Sequence, residues 1–266
     1  MIIVKGETHE RRIRMKRYRI KARGFYSGAD ATAPDFLCQT FDIGHRKTSG
    51  LANKTDYTSH GKRKASAGDP IREASEILAA KNYFLTHGKS ERIRMRNHMI
   101  FVLGISIGVR GCDLLSLRIR DVLNPNGSVK EHIILYERKT GKHNDPCLNH
   151  SSQEAIMMYL DSLNGCFTMD DYLICSERGG KMDESQLYRV INQLQTKLGL
   201  PYHMSAHSLR KTFAYWNIKL HPHDTKALIT LQGMLNHDSP ATTLRYCGIT
   251  KDDEDVFYRD IDKIFG

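Results

Sequence analysis

The chain has 266 residues, 40% hydrophobic and 26% charged, with a formal net charge of +10. That length allows one large domain or two small ones, and the composition is that of a water-soluble globular protein. No apolar run reaches the roughly eighteen residues of a membrane span, and the six cysteines (Cys38, Cys112, Cys147, Cys166, Cys175, Cys247) form no CxxC pair, which excludes a zinc knuckle or disulfide framework and predicts reduced thiols in the cytoplasm.

The positive charge is unevenly placed. Residues 1–69 hold 15 Lys and Arg against 7 Asp and Glu, whereas the remaining 197 hold 25 against 23. A basic arm on a nearly neutral body is suited to a polyanion, nucleic acid above all. Glu10 to Arg23 carries eight basic residues interleaved with Ile13, Met15, Tyr18 and Ile20, which predicts a short strand with one cationic face. Residues 24–69 are rich in Gly, Ser, Thr, Ala, Asn and Asp and read as a linker. The expected organisation is a basic, flexible, poorly structured N-terminal arm over 1–69 and a folded domain over 70–266.

From Asp69-Pro70 the pattern changes, with Asp69 as a predicted helix N-cap and Pro70 at the first helical position. Apolar residues from Ile71 to Leu85 fit one or two helices, and His87-Gly88 marks a turn. Arg92 to Gly108 predicts a helix so rich in apolar residues that it belongs at the centre of the core. Glycine breaks it, and a new helix is expected just after Arg110, with Leu114, Leu115 and Leu117 facing inward and Asp113 placed either to hold Arg110 or to cap the helix. Residues 132–137 and 145–148 read as a lysine-tipped β-hairpin turning at 139–142. Further helices are expected at 151–163 and at 184–198, the second closed by Gly199, with a short extended piece at 172–175 between them. A last helix over 252–266 opens with acidic residues and carries an apolar stripe. The fold class is therefore mainly α with a small β-sheet (α+β).

Between Pro201 and this last helix lies the chemistry. His207-Ser208-Leu209-Arg210 places a proton-transfer group and a phosphate-matching guanidinium three residues apart, on one face of a helix. Leu235-Asn236-His237 adds a second histidine, and Tyr246, nine residues further on, is a candidate nucleophile. Together these groups describe phosphodiester chemistry without a metal.

With Arg110 in its Gly-x-Arg-x-x-Asp-Leu setting, Lys139 on the hairpin, His207-x-x-Arg210, Leu-x-His237 and Tyr246, the chain resembles the tyrosine recombinases of the phage integrase family over about residues 70–266. Val109 and Asn236 stand where Leu and Gly are commoner in that family, and residues 1–69 do not read as its usual helical core-binding domain. The resemblance implies the tyrosine-recombinase catalytic-domain fold and a site made of Arg110, Lys139, His207, Arg210, His237 and Tyr246, with no cofactor or metal. Tyr246 would attack a DNA phosphate to give a 3′-phosphotyrosyl link, with His207 as base, Arg110, Arg210 and His237 holding the phosphate, and Lys139 (or Lys142, close by) protonating the leaving 5′-oxygen. Both arginines are expected to find their main partner in the phosphate, so that alanine at either removes cleavage with little loss of stability. The implied partners are double-stranded DNA, further copies of the chain docked through 252–266, and accessory excision or DNA-bending factors. Two other readings compete with a recombinase: a type IB topoisomerase-like nicking and closing enzyme using the same residues, and an inactive DNA-binding remnant of a mobile element.

Overall fold

The computed structural model describes residues 68–221, 224–247 and 251–265. The basic stretch and linker expected over residues 1–67 lie outside them. The described part is helical except for one small hairpin. None of its helices is long and apolar enough to cross a membrane.

The chain enters as an extended segment, and the predicted start at Asp69-Pro70 gives way to a helix, α1, spanning Ala74–Thr86. Tertiary contacts explain the shift. The Asp69 amide donates to the His203 carbonyl (2.9 Å) and the Ile71 amide to Thr212 Oγ1 (2.9 Å). Trp216 Nε1 donates to the Ile71 carbonyl, and the Ile71 side chain is fully buried. Local capping preference amounts to about 1 kcal/mol, less than these bonds and a buried isoleucine contribute together.

Helix α2 (Glu91–Ile107) begins at Ser90, whose side chain accepts from the Ile93 amide, and ends at Gly108 with φ 61°. Met99, Ile100, Phe101 and Leu103 are all fully buried, so the helix is enclosed on every side as its composition predicts. It packs on α1 and on the helices over His150–Ser162 and Ala206–Leu220. Two glycines permit this closeness. A Cβ on Gly104 would lie 2.5 Å from Leu209 Cδ1, and one on Gly108 would lie 2.2 Å from the Phe213 ring. Gly108 also adopts the left-handed turn that redirects the chain toward Arg110.

Short helices α3 (Gly111–Leu114) and α4 (Ile119–Val122) follow. The hairpin is more modest than the apolar runs suggest. Strands β1 (Leu135–Tyr136) and β2 (His143–Asn144) pair antiparallel, Leu135 with Asn144 and Tyr136 with His143, and a single bridge joins His132 to Cys147. Helix α5 (His150–Ser162) is capped by Asn149, and α6 (Glu184–Lys197) by Asp183 in a capping box with Gln186. Helices α7 (Ala206–Leu220), α8 (Ala227–Met234), α9 (Pro240–Cys247) and α10 (Lys251–Asp260) complete the order, with a 3-10 turn over Ile261–Ile264.

The apolar residues form two clusters. The larger surrounds α2 and α5. The smaller joins Phe213, Ala214, Leu231, Leu235 and Cys247 beneath Tyr246. The second cluster is thus the mount for α9, the helix that carries the candidate nucleophile.

His98, on α2, is 2% exposed, and neither ring nitrogen has a hydrogen-bond partner among the described residues. Burial, and then the Lys81 charge, lower its pKa from 6.5 to about 4, against the pull of Glu154. Because the folded value lies below the unfolded one, the unfolded chain takes up the proton first as pH falls. Stability attached to this group is complete above about 6.5 and is lost on the way down to about 4. We expect His98→Leu to flatten the acid side of a thermal-melt profile, narrowing the stability difference between about pH 7 and about pH 4.5 by on the order of 2 kcal/mol. An unchanged acid limb would show that His98 does not titrate in this range.

Candidate active site

A cavity of about 600 Å³ opens between α3, the hairpin turn, the start of α7 and the segment leading into α9. Arg110, Lys139, His207, His237 and Tyr246 all line it, so five of the six candidate residues meet in one place. Arg210, the sixth, lies beneath the cavity. It is 1% exposed, and its guanidinium carbon is 5.9 Å from the Tyr246 ring centre.

Each position follows from a local feature. His207 sits in the first turn of α7, whose N-cap Ser205 forms a capping box with Ser208. Arg210 follows three residues later, on the same face of the helix. His237 comes just after Asn236, whose φ of 50° puts it in the left-handed region. This accounts for the departure from the family's usual glycine there, since asparagine is the side chain most tolerant of that conformation. Ser239 receives the Thr242 amide through its side chain (3.4 Å) and its carbonyl (3.2 Å), which starts α9 with Pro240 at its head and brings Tyr246 back over α7.

Tyr246 and His207 are in direct contact. The tyrosine hydroxyl is hydrogen-bonded to His207 Nε2, with the tyrosine as donor when the imidazole is protonated at Nδ1, and the rings meet edge to face at 5.0 Å. The His237 ring lies 4.6 Å from the other side of Tyr246, and its Nδ1 shares a hydrogen bond with the buried Thr243 hydroxyl (3.0 Å). Burial is the first cause of the lowered pKa of both histidines, each falling from 6.5 to about 4, with Arg210 next and Arg110 adding to it. Lys211 and Lys139 act on His207 in the same direction. Both rings are therefore neutral at pH 7, and His207 has a lone pair to accept a proton.

The arginines are not held in the way the residue pattern suggests. Arg210 Nη1 donates to the Gly108 carbonyl (2.8 Å) and Nη2 to the Leu235 carbonyl (2.6 Å), while its Nε has no partner among the described residues. These carbonyls close the C-terminal ends of α2 and α8, where the helix dipoles favour a cation. Arg110 forms an ion pair with Glu137, a carboxylate only 3% exposed. Asp113, three residues beyond Arg110, instead accepts from the Arg138 amide (2.9 Å). Both arginines thus have protein partners before any phosphate arrives, which corrects the expectation of little stability loss on their removal. Glu137 has no distinguishing mark in the sequence. It stands at the end of the predicted strand, just past β1, where alternation alone leaves open which way a residue faces.

The two hairpin lysines differ. Lys142 Nζ is paired with Asp238 (2.7 Å), whereas Lys139 is an exposed residue of the cavity wall with no hydrogen bond or ion pair among the described residues. Beside this cavity, α6 separates it from a second groove of about 570 Å³ walled in part by Lys89, Arg92, Arg178 and Arg189.

Comparison with known proteins bears out the resemblance. Residues 70–252 match the phage integrase family, and the chain belongs to that family. Its members include tyrosine recombinases, enzymes that cut and rejoin DNA, and this chain is of that enzyme class. It is 32% identical over 198 residues to a probable integrase/recombinase, YoeC, of Bacillus subtilis, covering 74% of this chain and 96% of that protein. It is 25% identical over 200 residues to the tyrosine recombinase XerC of Rickettsia bellii, covering 75% of this chain and 62% of XerC. Among solved structures, XerA recombinase superposes with a TM-score of 0.56 at 24% identity, covering 72% of this chain and 65% of XerA. XerH site-specific recombinase, bound to palindromic difH substrate in a post-cleavage complex, gives 0.57 at 22% identity, covering 74% and 53%. The chain therefore spans nearly all of YoeC but less than two thirds of XerC and of either solved structure.

Proposed function

We propose that this chain acts on double-stranded DNA as a site-specific recombinase or integrase, through a 3′-phosphotyrosyl intermediate on Tyr246. The observation that carries the reading is the Tyr246 hydroxyl bonded to a neutral His207, inside a cavity walled in part by Arg110 and Lys139. In this scheme the Tyr246 oxygen attacks phosphorus, its proton passes to His207 Nε2, and the bond from phosphorus to the 5′-oxygen breaks. Lys139 gives the leaving oxygen a proton, and its freedom from the Asp238 pairing that occupies Lys142 favours it for the role. Arg110, Arg210 and the open Nε2 of His237 face the charge that builds on the non-bridging oxygens; one such fixed donor is typically worth about 10²–10³ in rate. A released 5′-hydroxyl reverses the sequence on a new partner strand, so no cofactor enters.

A histidine with a pKa of about 4 is a weak base for a tyrosine, whose ordinary value is about 10. Burial is the largest cause of that depression, and the charges of Arg210, Lys211, Arg110 and Lys139 follow; a bound phosphate offsets the charges, though not the burial, and so raises the histidine's affinity for a proton when substrate is in place. Lys89, Arg92, Arg178 and Arg189 of the groove beside α6 suit the backbone of the same duplex, as does the basic segment in residues 1–69. Such an enzyme works in the cytoplasm on DNA. The test is strand cleavage of a nicked duplex in chelator-containing buffer. Covalent adducts formed there support the scheme, and a strict need for a divalent ion refutes it.

Recombination further requires several protomers to act together. Val256, Ile261, Ile264 and Phe265 are all more than half exposed on the terminal segment. An apolar stripe on an element this short suits a neighbouring protomer, and repetition of such a head-to-tail contact closes a ring. We expect Ile261→Asp combined with Phe265→Asp to leave single-site cleavage and the melting temperature intact while abolishing multi-protomer complexes and strand exchange. If melting and cleavage fall together, the segment belongs to its own domain. If exchange survives in full, assembly does not use this stripe.

A further inference from the structure

The buried Glu137 carboxylate is the meeting point of three parts of the site. It pairs with Arg110 and accepts from the Thr140 hydroxyl (2.6 Å), and Asn236, whose Nδ2 donates to the His143 carbonyl (3.3 Å), lies close enough to favour its charged form. Its own backbone closes the turn that carries Lys139, since the Glu137 amide donates to the Lys142 carbonyl (2.9 Å) and the Gly141 amide donates to the Glu137 carbonyl (2.7 Å). Between Glu137 and Lys139, the Arg138 amide is held by Asp113 (2.9 Å). Lys139 is thus fixed through its neighbours at both flanks while its own side chain stays exposed.

A buried carboxylate beside a phosphate site is electrostatically adverse, because it cancels part of the cationic field that the substrate needs. Burial alone would raise its pKa, yet the bonds from Arg110 and Thr140, the Arg110 charge and the nearby Asn236 amide together hold it below the ordinary carboxylate range. It is therefore a negative charge at neutral pH, buried behind Arg110 and not itself part of the cavity lining. As a phosphate ligand it has no use, so its value lies in what it orients.

We propose that Glu137 is a positioning residue that locks the Lys139 turn onto Arg110, setting the general acid against the leaving 5′-oxygen. Arg110 gains a second anionic partner once a DNA phosphate binds, so its place depends less on Glu137 in the complex. The turn gains none. The loss on removing Glu137 thus falls on protonation of the leaving group. The inference rests on Lys139 being the general acid.

The experiment uses the full chain and two nicked duplexes, one with the natural 5′-bridging oxygen and one with sulfur in its place. Sulfur leaves as a thiolate without needing a proton, so a defect in the general acid disappears on that substrate. Glu137→Ala is expected to slow cleavage of the oxygen substrate by on the order of 10²-fold, the size of a general-acid contribution. On the sulfur substrate its rate is expected to return to within a few-fold of wild type, with DNA affinity little changed, when both are assayed at a temperature where the variant, which loses the Arg110 pair and melts lower, is still folded. Thr140→Val, which removes one of the latch bonds and keeps Arg110 paired, should show the same pattern more weakly. A Glu137→Ala defect of equal size on both substrates overturns the inference, as does a loss of melting temperature or DNA affinity that accounts for the slower rate. Lys139→Ala separates the two levels. If sulfur fails to rescue Lys139→Ala, the general-acid assignment itself is wrong; if it rescues Lys139→Ala and not Glu137→Ala, only the positioning role falls.

Discussion

Replacing Arg210 by alanine is expected to destabilise the protein by about 3–5 kcal/mol in addition to ending cleavage. The side chain is fully buried and satisfies the Gly108 and Leu235 carbonyls, which sit at the ends of α2 and α8. Alanine leaves both carbonyls without their donor and opens a cavity where α7, α8 and the turn toward Arg110 converge. A domain of ordinary stability holds only about 5–15 kcal/mol in all, so a large drop in melting temperature or in soluble yield follows. Arg210→Lys keeps the charge but lacks the planar fork that reaches two carbonyls at once. It should fall between alanine and wild type in chemical denaturation. A soluble Arg210→Ala variant that melts within a degree or two of wild type would show that the two carbonyl bonds contribute little, and that the arginine serves the substrate alone.

The second large effect concerns the nucleophile. Tyr246→Phe removes only a hydroxyl, and that hydroxyl bonds to His207 at the rim of the small apolar cluster. The ring's contacts with His207, with His237 and with the apolar mount are kept, so fold and DNA affinity should change little. Covalent DNA–protein adducts should vanish, because the lost oxygen is the atom that joins phosphorus and no neighbouring hydroxyl takes its place in the cavity wall at the same position. Adducts that persist in the phenylalanine variant would move the nucleophile elsewhere, with Tyr258 on α10 the next tyrosine to replace.

Much of this was readable from the residues, for physical reasons that can be named. Dense apolar sequence marked α2 as the central helix, and the spacing of apolar residues placed α5 and α6 within a residue or two, because these signals act locally. His207, Arg210, His237 and Tyr246 stood out because they combine donor, base and nucleophile within one short stretch, whereas Arg110 and Lys139 joined them only through the family resemblance. What escaped was set by distant partners. The segment after Asp69 runs extended because Thr212, His203 and Trp216 bind its backbone from α7 and its approach. The hairpin pairs over fewer residues than its apolar runs allow, because Glu137 and its turn answer to Arg110 and Asn236 as well as to the opposite strand. Arg210 looks like a substrate ligand in a four-residue motif, and only the fold shows that it also ties together two helix ends.

The central claim is that Tyr246 becomes joined to DNA, and peptide mapping of the trapped adduct tests it most directly. Wild-type protein is reacted with a nicked duplex from which the cut fragment diffuses away, then digested with trypsin and nuclease. Cleavage after Arg245 and Lys251 isolates residues 246–251, with Tyr246 as their only tyrosine. The account predicts a nucleotide-bearing peptide of that span with the modification on Tyr246, formed equally well in chelator. A modified peptide from any other part of the chain, such as 252–259 with Tyr258, would contradict it.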